Sequence, residues 1–289
     1  MTSTKPSLEA LRREIDEIDA AIHDLILRRT QVVEQVGAVK ARSKPAIRPG
    51  REAMILRRLL SRHTGPFPIT SLARMWREML AATVRLQGPF SVAVCVPPER
   101  PGMWDLARDH FGSFTPFTAV ATPQAVLRAL AEANANMGVV PFPEDDDPDP
   151  WWRHLMADDP KTPRVLARLP FCGRGNGRGD DVDALAIGTV AAEQTGDDRT
   201  LLGLELDSDL SRGRLKDMMD ACNLPATPYR TVLFDRGNGA SIRLVEVADF
   251  VEQKDPRLKQ LQTKSGDALI RAVPIGSYAT PIGAEGRKG

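Results

Sequence analysis

Cysteine is scarce in this chain of 289 residues: Cys95, Cys172 and Cys222 are odd in number and far apart, which excludes a disulfide framework and predicts free thiols. They show no paired metal-ligand spacing, so neither a metal site nor a cofactor is expected. No apolar run reaches membrane length, and Met1-Thr2-Ser3-Thr4-Lys5 lacks the apolar core of a secretory signal. A cytoplasmic protein is the expectation. Net charge is also small, at +1, but it is unevenly spread. Residues 1–88 hold 16 Lys and Arg against 9 Asp and Glu, whereas the remainder holds 23 against 29. The first part therefore favours anionic ligands. It lacks the interleaved aromatics of a nucleic-acid surface, so a small anion is the better match. A 42% apolar and 27% charged composition is ordinary globular chemistry, and the length allows more than one domain.

What is present begins with Leu8, Leu11, Ile15, Ile18, Ile22 and Leu25, apolar residues recurring three and four apart. This spacing predicts one long helix, from Leu8 to about Arg42, built around a single seam. Arg29 falls on the same seam, where another aliphatic residue was due, and Val32 and Val36 follow. A cation there calls for an anion, although a snorkelling side chain at the edge of a coiled coil would also place it so. Lys40 lies eleven residues on, about 20° round the helix and roughly 16 Å along it. The two cations can grip opposite ends of a small dianion. Arg12 is roughly 25 Å from Arg29 along the helix, too far to join the same site unless a second copy supplies it.

Prolines and a glycine at Pro45, Pro49 and Gly50 impose a loop, and a second helix is expected from Arg51 to about His63. Ile55, Leu56, Leu59 and Leu60 define its apolar face, which also carries Glu52. Helix-dipole stabilisation accounts for that carboxylate equally well. A third helix is expected from about Thr70 to Gln87, with a stripe of Leu72, Trp76, Met79 and Leu80 that ends in Thr83 and Gln87. Cations, one carboxylate and two neutral hydrogen-bonders inside a helical bundle can bind and polarise a dianion. They include no evident nucleophile, and His23 projects off the seam.

Leu11-Arg12-Arg13-Glu14-Ile15, the run through Arg29 to Gly37 and Lys40, Ile47-Arg48-Pro49-Gly50-Arg51-Glu52, and Thr83 with Gln87 together resemble the all-helical, type II chorismate mutases. The resemblance covers residues 7–87. It implies an intertwined homodimer of three-helix chains in which Arg12 of one chain completes the site of the other. It also implies that Arg12, Arg29 and Arg51 meet the carboxylates of chorismate, that Lys40 meets the ether oxygen and a carboxylate, that Gln87 donates to the ether oxygen, that Glu52 holds the ring hydroxyl, and that Thr83 contacts a carboxylate. One departure is the Pro49-Gly50 loop, which lacks the acidic residue that the family commonly places shortly before the Arg-Glu pair.

Beyond Pro89 short apolar runs alternate with helices, predicting an α/β region with a parallel sheet over residues 89–198. Its expected elements are Ser91–Val96, Gly102–Phe111, Phe117–Ala121, Pro123–Ala133 and Gly138–Val140. The acidic stretch Glu144–Pro150 and the glycine-rich Gly173–Gly179 read as loops, the latter without the strand-to-helix context of a phosphate-binding turn. From residue 199 a strand-helix-strand-strand-helix-strand order predicts a ferredoxin-like α+β unit, with a frayed tail from Gly283.

These parts resemble prephenate dehydratase and its ACT regulatory unit, through Met137-Gly138-Val139-Val140-Pro141 and Gly276-Ser277-Tyr278. Where the dehydratases have an Asn-Ser pair this chain reads Pro143-Glu144-Asp145. In place of their Thr-Arg-Phe motif it reads Asp183-Ala184-Leu185. Gly213 matches a ligand-loop glycine, but Tyr229-Arg230-Thr231-Val232 does not reproduce the family's Glu-Ser-Arg-Pro segment. The resemblance thus implies a chorismate mutase of phenylalanine and tyrosine biosynthesis joined to a silent dehydratase-like region, with an aromatic amino-acid effector as a further partner. The alternatives are a bifunctional chorismate mutase/prephenate dehydratase, an isochorismate pyruvate lyase, and a non-catalytic amino-acid-sensing module. Neither nucleic acid nor membrane is an expected partner.

Overall fold

A computed structural model describes residues 7–39, 47–144, 147, 150–175, 178, 182–206, 210–235 and 241–283. Helix α1 spans Leu8–Val39, helix α2 Pro49–Leu60 and helix α3 Ile69–Gln87. The expected seam of α1 is present but uncovered: Leu8, Leu11, Ile15, Ile18, Ile22 and Leu25 are between 41% and 65% exposed. The C-terminal part of α1 approaches α3, where a Cβ on Gly37 would lie 3.4 Å from Gln87 Cγ. Pro49 starts α2, a first-turn position that needs no amide hydrogen, and α3 stops at Gly88.

Helices α2 and α3 do not close on each other alone. Ala53, Leu56 and Leu60 pack with Ala73 and Leu80, and the same cluster takes in Phe171 and Ala279 from the sheet layer. Burying a side chain such as Leu56 contributes about 1.5–3 kcal/mol, so the two helices are fastened to the sheet layer as well as to each other.

Strands β1 (Val92–Cys95), β2 (Phe117–Val120) and β3 (Met137–Pro141) are parallel, connected by helices α4 (Gly102–Phe111) and α5 (Pro123–Ala131). Strands β4 (Arg164–Leu169) and β5 (Ala184–Gly188) complete this half. Here the parallel expectation for residues 89–198 needs correction, because β5 is antiparallel to both β3 and β4. Among the described residues no helix lies between β4 and β5, whereas a parallel neighbour requires a crossover. Pattern reading assigned neither strand.

The ferredoxin-like expectation holds. Strands β6 (Asp198–Leu206), β7 (Ala226–Asp235), β8 (Ser241–Val247) and β9 (Leu269–Ala279) pair antiparallel in the order β9-β6-β8-β7. Helices α6 (Arg212–Asp220) and α7 (Pro256–Ser265) cover one face through Leu215, Met219, Leu258 and Leu261. On the opposite face the 3-10 helix Trp151–Met156 covers Leu201, Ile242, Leu244 and Ile275.

The two halves join edge to edge into one nine-stranded sheet, with order β2-β1-β3-β5-β4-β9-β6-β8-β7. The joint is narrow: β4 and β9 register at Val165 and Gly276. Gly276 has φ +148°, and a Cβ there would fall 2.2 Å from Val165 N. Only glycine permits both the conformation and the approach of the two backbones. Gly276→Ala is expected to cost about 3 kcal/mol or more, from strain together with overpacking, read as a lower denaturant midpoint.

Buried His110 on α4 supplies a second prediction. Burial, reinforced by the charge of Arg77, holds its imidazole well below the ordinary range. The folded protein keeps it neutral, whereas the unfolded chain takes up a proton below about pH 6.5. Its stabilising share is therefore complete above that value and lost as pH falls, by up to about 1.4 kcal/mol per pH unit. Thermal melts should show a shallower acid-side loss of stability in His110→Gln than in the parent.

Candidate functional site

Helix α1 holds the guanidinium of Arg29 half-buried, with Nη1 fully shielded and without a hydrogen-bond partner among the described residues. Burial lowers its pKa, yet an arginine remains charged. An enclosed cationic donor without an acceptor is costly in a folded protein, and an anionic ligand would remove that cost. Arg12 is exposed on the same helix, seventeen residues away. At about 1.5 Å per residue the two are roughly 25 Å apart, so one chain does not bring them together. Lys40 lies outside the described residues.

On α3, Thr83 is buried, and its hydroxyl donates to Leu80 O at 2.8 Å. Gln87 Nε2 donates to Thr83 O at 3.0 Å, and the Cγ of the same side chain lies beside Gly37 of α1. These two residues form one small polar patch. Both bonds are local contacts to the helix's own backbone, of the kind that a ligand can replace.

The first turn of α2 carries Arg51 and Glu52. Arg51 is exposed, while Glu52 turns inward and accepts from Arg77 Nη1 of α3 at 3.0 Å. Burial pushes the Glu52 carboxyl up, Arg77 draws it down, and the nearby Glu193 carboxylate pushes it up again. Burial brings Arg77 down to about 10 against the opposing pull of Glu52. Its guanidinium also lies 5.1 Å from the centroid of the Phe171 ring, a cation–π contact.

Sequence reasoning missed two participants. Arg77 was legible, because it falls on the buried face of α3 with Ala73, Leu80, Ala81 and Val84, the same signal that marks Arg29. Glu193 was not. Its carboxylate accepts from Arg48 Nε at 2.7 Å and from the backbone N–H of Arg51 at 3.1 Å, across a separation of more than 140 residues.

Among the described residues no group of three or more His, Cys, Asp and Glu side chains is placed to hold a metal ion. No helix among them is long and apolar enough to cross a membrane. The arrangement offers charge and hydrogen bonds to a bound anion, chemistry suited to stabilising charge that develops within one substrate.

The chain is similar to known proteins over part of its length. Bifunctional chorismate mutase/prephenate dehydratases from Stutzerimonas stutzeri and Pseudomonas aeruginosa are 33% identical over 145 and 140 residues, covering 48% and 46% of this chain. Those stretches are 40% and 38% of the relatives, so the chain spans well under half of their length. Among solved structures, prephenate dehydratase from Streptococcus mutans aligns with 67% of this chain and 99% of its own, at 12% identity and a TM-score of 0.48. Prephenate dehydratase in complex with L-Phe from Arthrobacter aurescens aligns with 65% and 90%, at 11% identity and a TM-score of 0.46. Over residues 11–88, the segment that carries every candidate site residue, the chain matches the family of type II chorismate mutases.

Proposed function

We propose that this protein is a chorismate mutase, converting chorismate to prephenate by an intramolecular Claisen rearrangement. The observation that carries the reading is Arg29, whose shielded Nη1 has no acceptor among the described residues, on the helix that the family match covers. Such a reaction needs no nucleophile. It needs the enolpyruvyl chain held over the ring in the diaxial conformer and negative charge stabilised on the ether oxygen. Arg29 and Arg51 take the two carboxylates, with Thr83 assisting. Glu52 receives the ring hydroxyl, and Lys40 and Gln87 donate to the ether oxygen, where charge grows in the transition state.

Arg12 enters this scheme from a second copy. The uncovered seam from Leu8 to Leu25 supports that assignment, since a contiguous apolar face of this kind marks an interaction surface. Two such helices packed antiparallel make an intertwined homodimer and carry each Arg12 toward the partner's Arg29.

The units proposed are a mutase domain at 1–88, a dehydratase-like region at 89–198 and an ACT-type unit at 199–289 that receives an aromatic amino acid. The dehydratase-like region is silent in this reading. Asp183 accepts from Arg168 Nη2 at 2.6 Å, and Ala184 and Leu185 are buried in β5, so that position offers structure in place of a hydroxyl and a guanidinium. A bifunctional enzyme is the second reading, favoured by the names of the relatives from Stutzerimonas stutzeri and Pseudomonas aeruginosa.

Loss of chorismate absorbance, followed by an assay for phenylpyruvate, separates these. Prephenate accumulating alone is the expected result; phenylpyruvate would establish the bifunctional enzyme, and no loss of chorismate would overturn both readings. Lys40→Ala is expected to lose about a hundredfold in turnover, on the order of 3 kcal/mol, as when a preorganised donor to an oxyanion is removed. Ile18→Glu places a charge in the seam. It should shift sedimentation to the monomer and abolish turnover together, whereas an active monomer would remove Arg12 from the site.

A further inference from the structure

Helix α2 lacks a local N-cap. Arg48 occupies the cap position and has no side-chain oxygen to offer the first amides. Glu193 takes over that task from the segment that leads into β6. One oxygen accepts from Arg51 N at 3.1 Å and the other from Arg48 Nε at 2.7 Å, with Arg48 Nη2 also in contact. A carboxylate is favoured there by the positive end of the helix as well as by Arg48.

The neighbouring contacts make this a clamp. Arg57, two turns along α2, donates to Thr195 Oγ1 at 2.8 Å, to Asp197 O at 2.6 Å and to Thr280 O at 2.8 Å. The loop itself is braced by buried Asp198, which accepts from Thr195 N at 2.7 Å, Gly196 N at 3.0 Å and Thr195 Oγ1 at 2.7 Å. Gly50 is the residue that admits Glu193. A Cβ at Gly50 would lie 2.8 Å from both Glu193 Cβ and Glu193 O.

Resting on the mutase reading, we infer that Glu193 is a positioning residue of the candidate site: by capping α2 from the sheet layer it sets the first turn that presents Arg51 and Glu52 to the substrate. The strand-β6 end of the ferredoxin-like unit is thereby tied to the substrate-binding groups of the helical segment. Glu193 touches no reacting atom. It acts through the direction of α2, and its loss weakens contacts that ground state and transition state share.

The test is steady-state chorismate kinetics on the full chain for the parent, Glu193→Gln, Gly50→Ala and the double variant, with thermal melts alongside. Each single variant is expected to raise KM about tenfold while kcat stays within about threefold, the signature of lost uniform binding. The double variant should match the singles, because Gly50→Ala acts by displacing the same carboxylate. An active parent with unchanged KM in Glu193→Gln overturns the inference. So does a folded Gly50→Ala with parental KM, or a Glu193→Gln that fails to fold, which would make the cap purely structural. A parent that does not consume chorismate overturns the mutase reading itself, and is distinguished by being seen before any variant is compared.

Discussion

The ion pair between Arg77 and Glu52 is the interaction on which the helical part of this molecule depends. Their side chains are only 7% and 13% exposed, and the pair bridges α3 to the first turn of α2. Bringing two such charges out of water costs several kcal/mol per ion, and their attraction roughly returns it. Its worth is therefore in specifying geometry more than in net stability. With either partner removed the other would be left charged in an enclosed site, so α2 and α3 have one workable register. The guanidinium also stacks near Phe171, and its field helps keep His110 neutral. A single buried cation thus couples both helices to α4 and to the sheet layer.

The same logic of charge and burial explains the contrast with α1. Among the described residues its apolar side chains find no cover and Arg29 finds no acceptor. Both deficits lie on one long helix whose N-terminal half stands clear of α3. A second copy and an anionic ligand would relieve them, the first by covering apolar surface and the second by meeting an enclosed donor.

Beyond the helices, two sheet units that could each have ended in an exposed edge are merged. Strand β4 meets β9 at the one place where Gly276 lets two backbones approach, and the 3-10 helix with Trp151 and Trp152 covers the joined face. Merging removes two open edges, with their unpaired amides and carbonyls. It also brings the segment from Glu193 to Asp198 against α2, which makes the helical and sheet parts mechanically continuous through Arg57 and Arg48.

By itself the sequence determined the periodic elements. The three helices, the β1–α4–β2–α5–β3 run and the ferredoxin-like order arise from local patterns, because spacing of apolar residues at 3.6 or 2 needs no knowledge of what lies opposite. Arg29 was legible for the same reason, as a cation in an aliphatic position, and Arg77 offers the same signal. Tertiary structure alone decided the rest. Strands β4 and β5 are not set off by helices of their own as β1, β2 and β3 are, so only pairing identifies them, and the antiparallel place of β5 is a matter of tertiary contact. That Glu52 turns to Arg77, that Glu193 caps a helix far away in sequence, and that one glycine fuses two sheets are outcomes of long-range contact. No local pattern encodes which distant side chain will arrive to satisfy a buried charge or an uncapped amide.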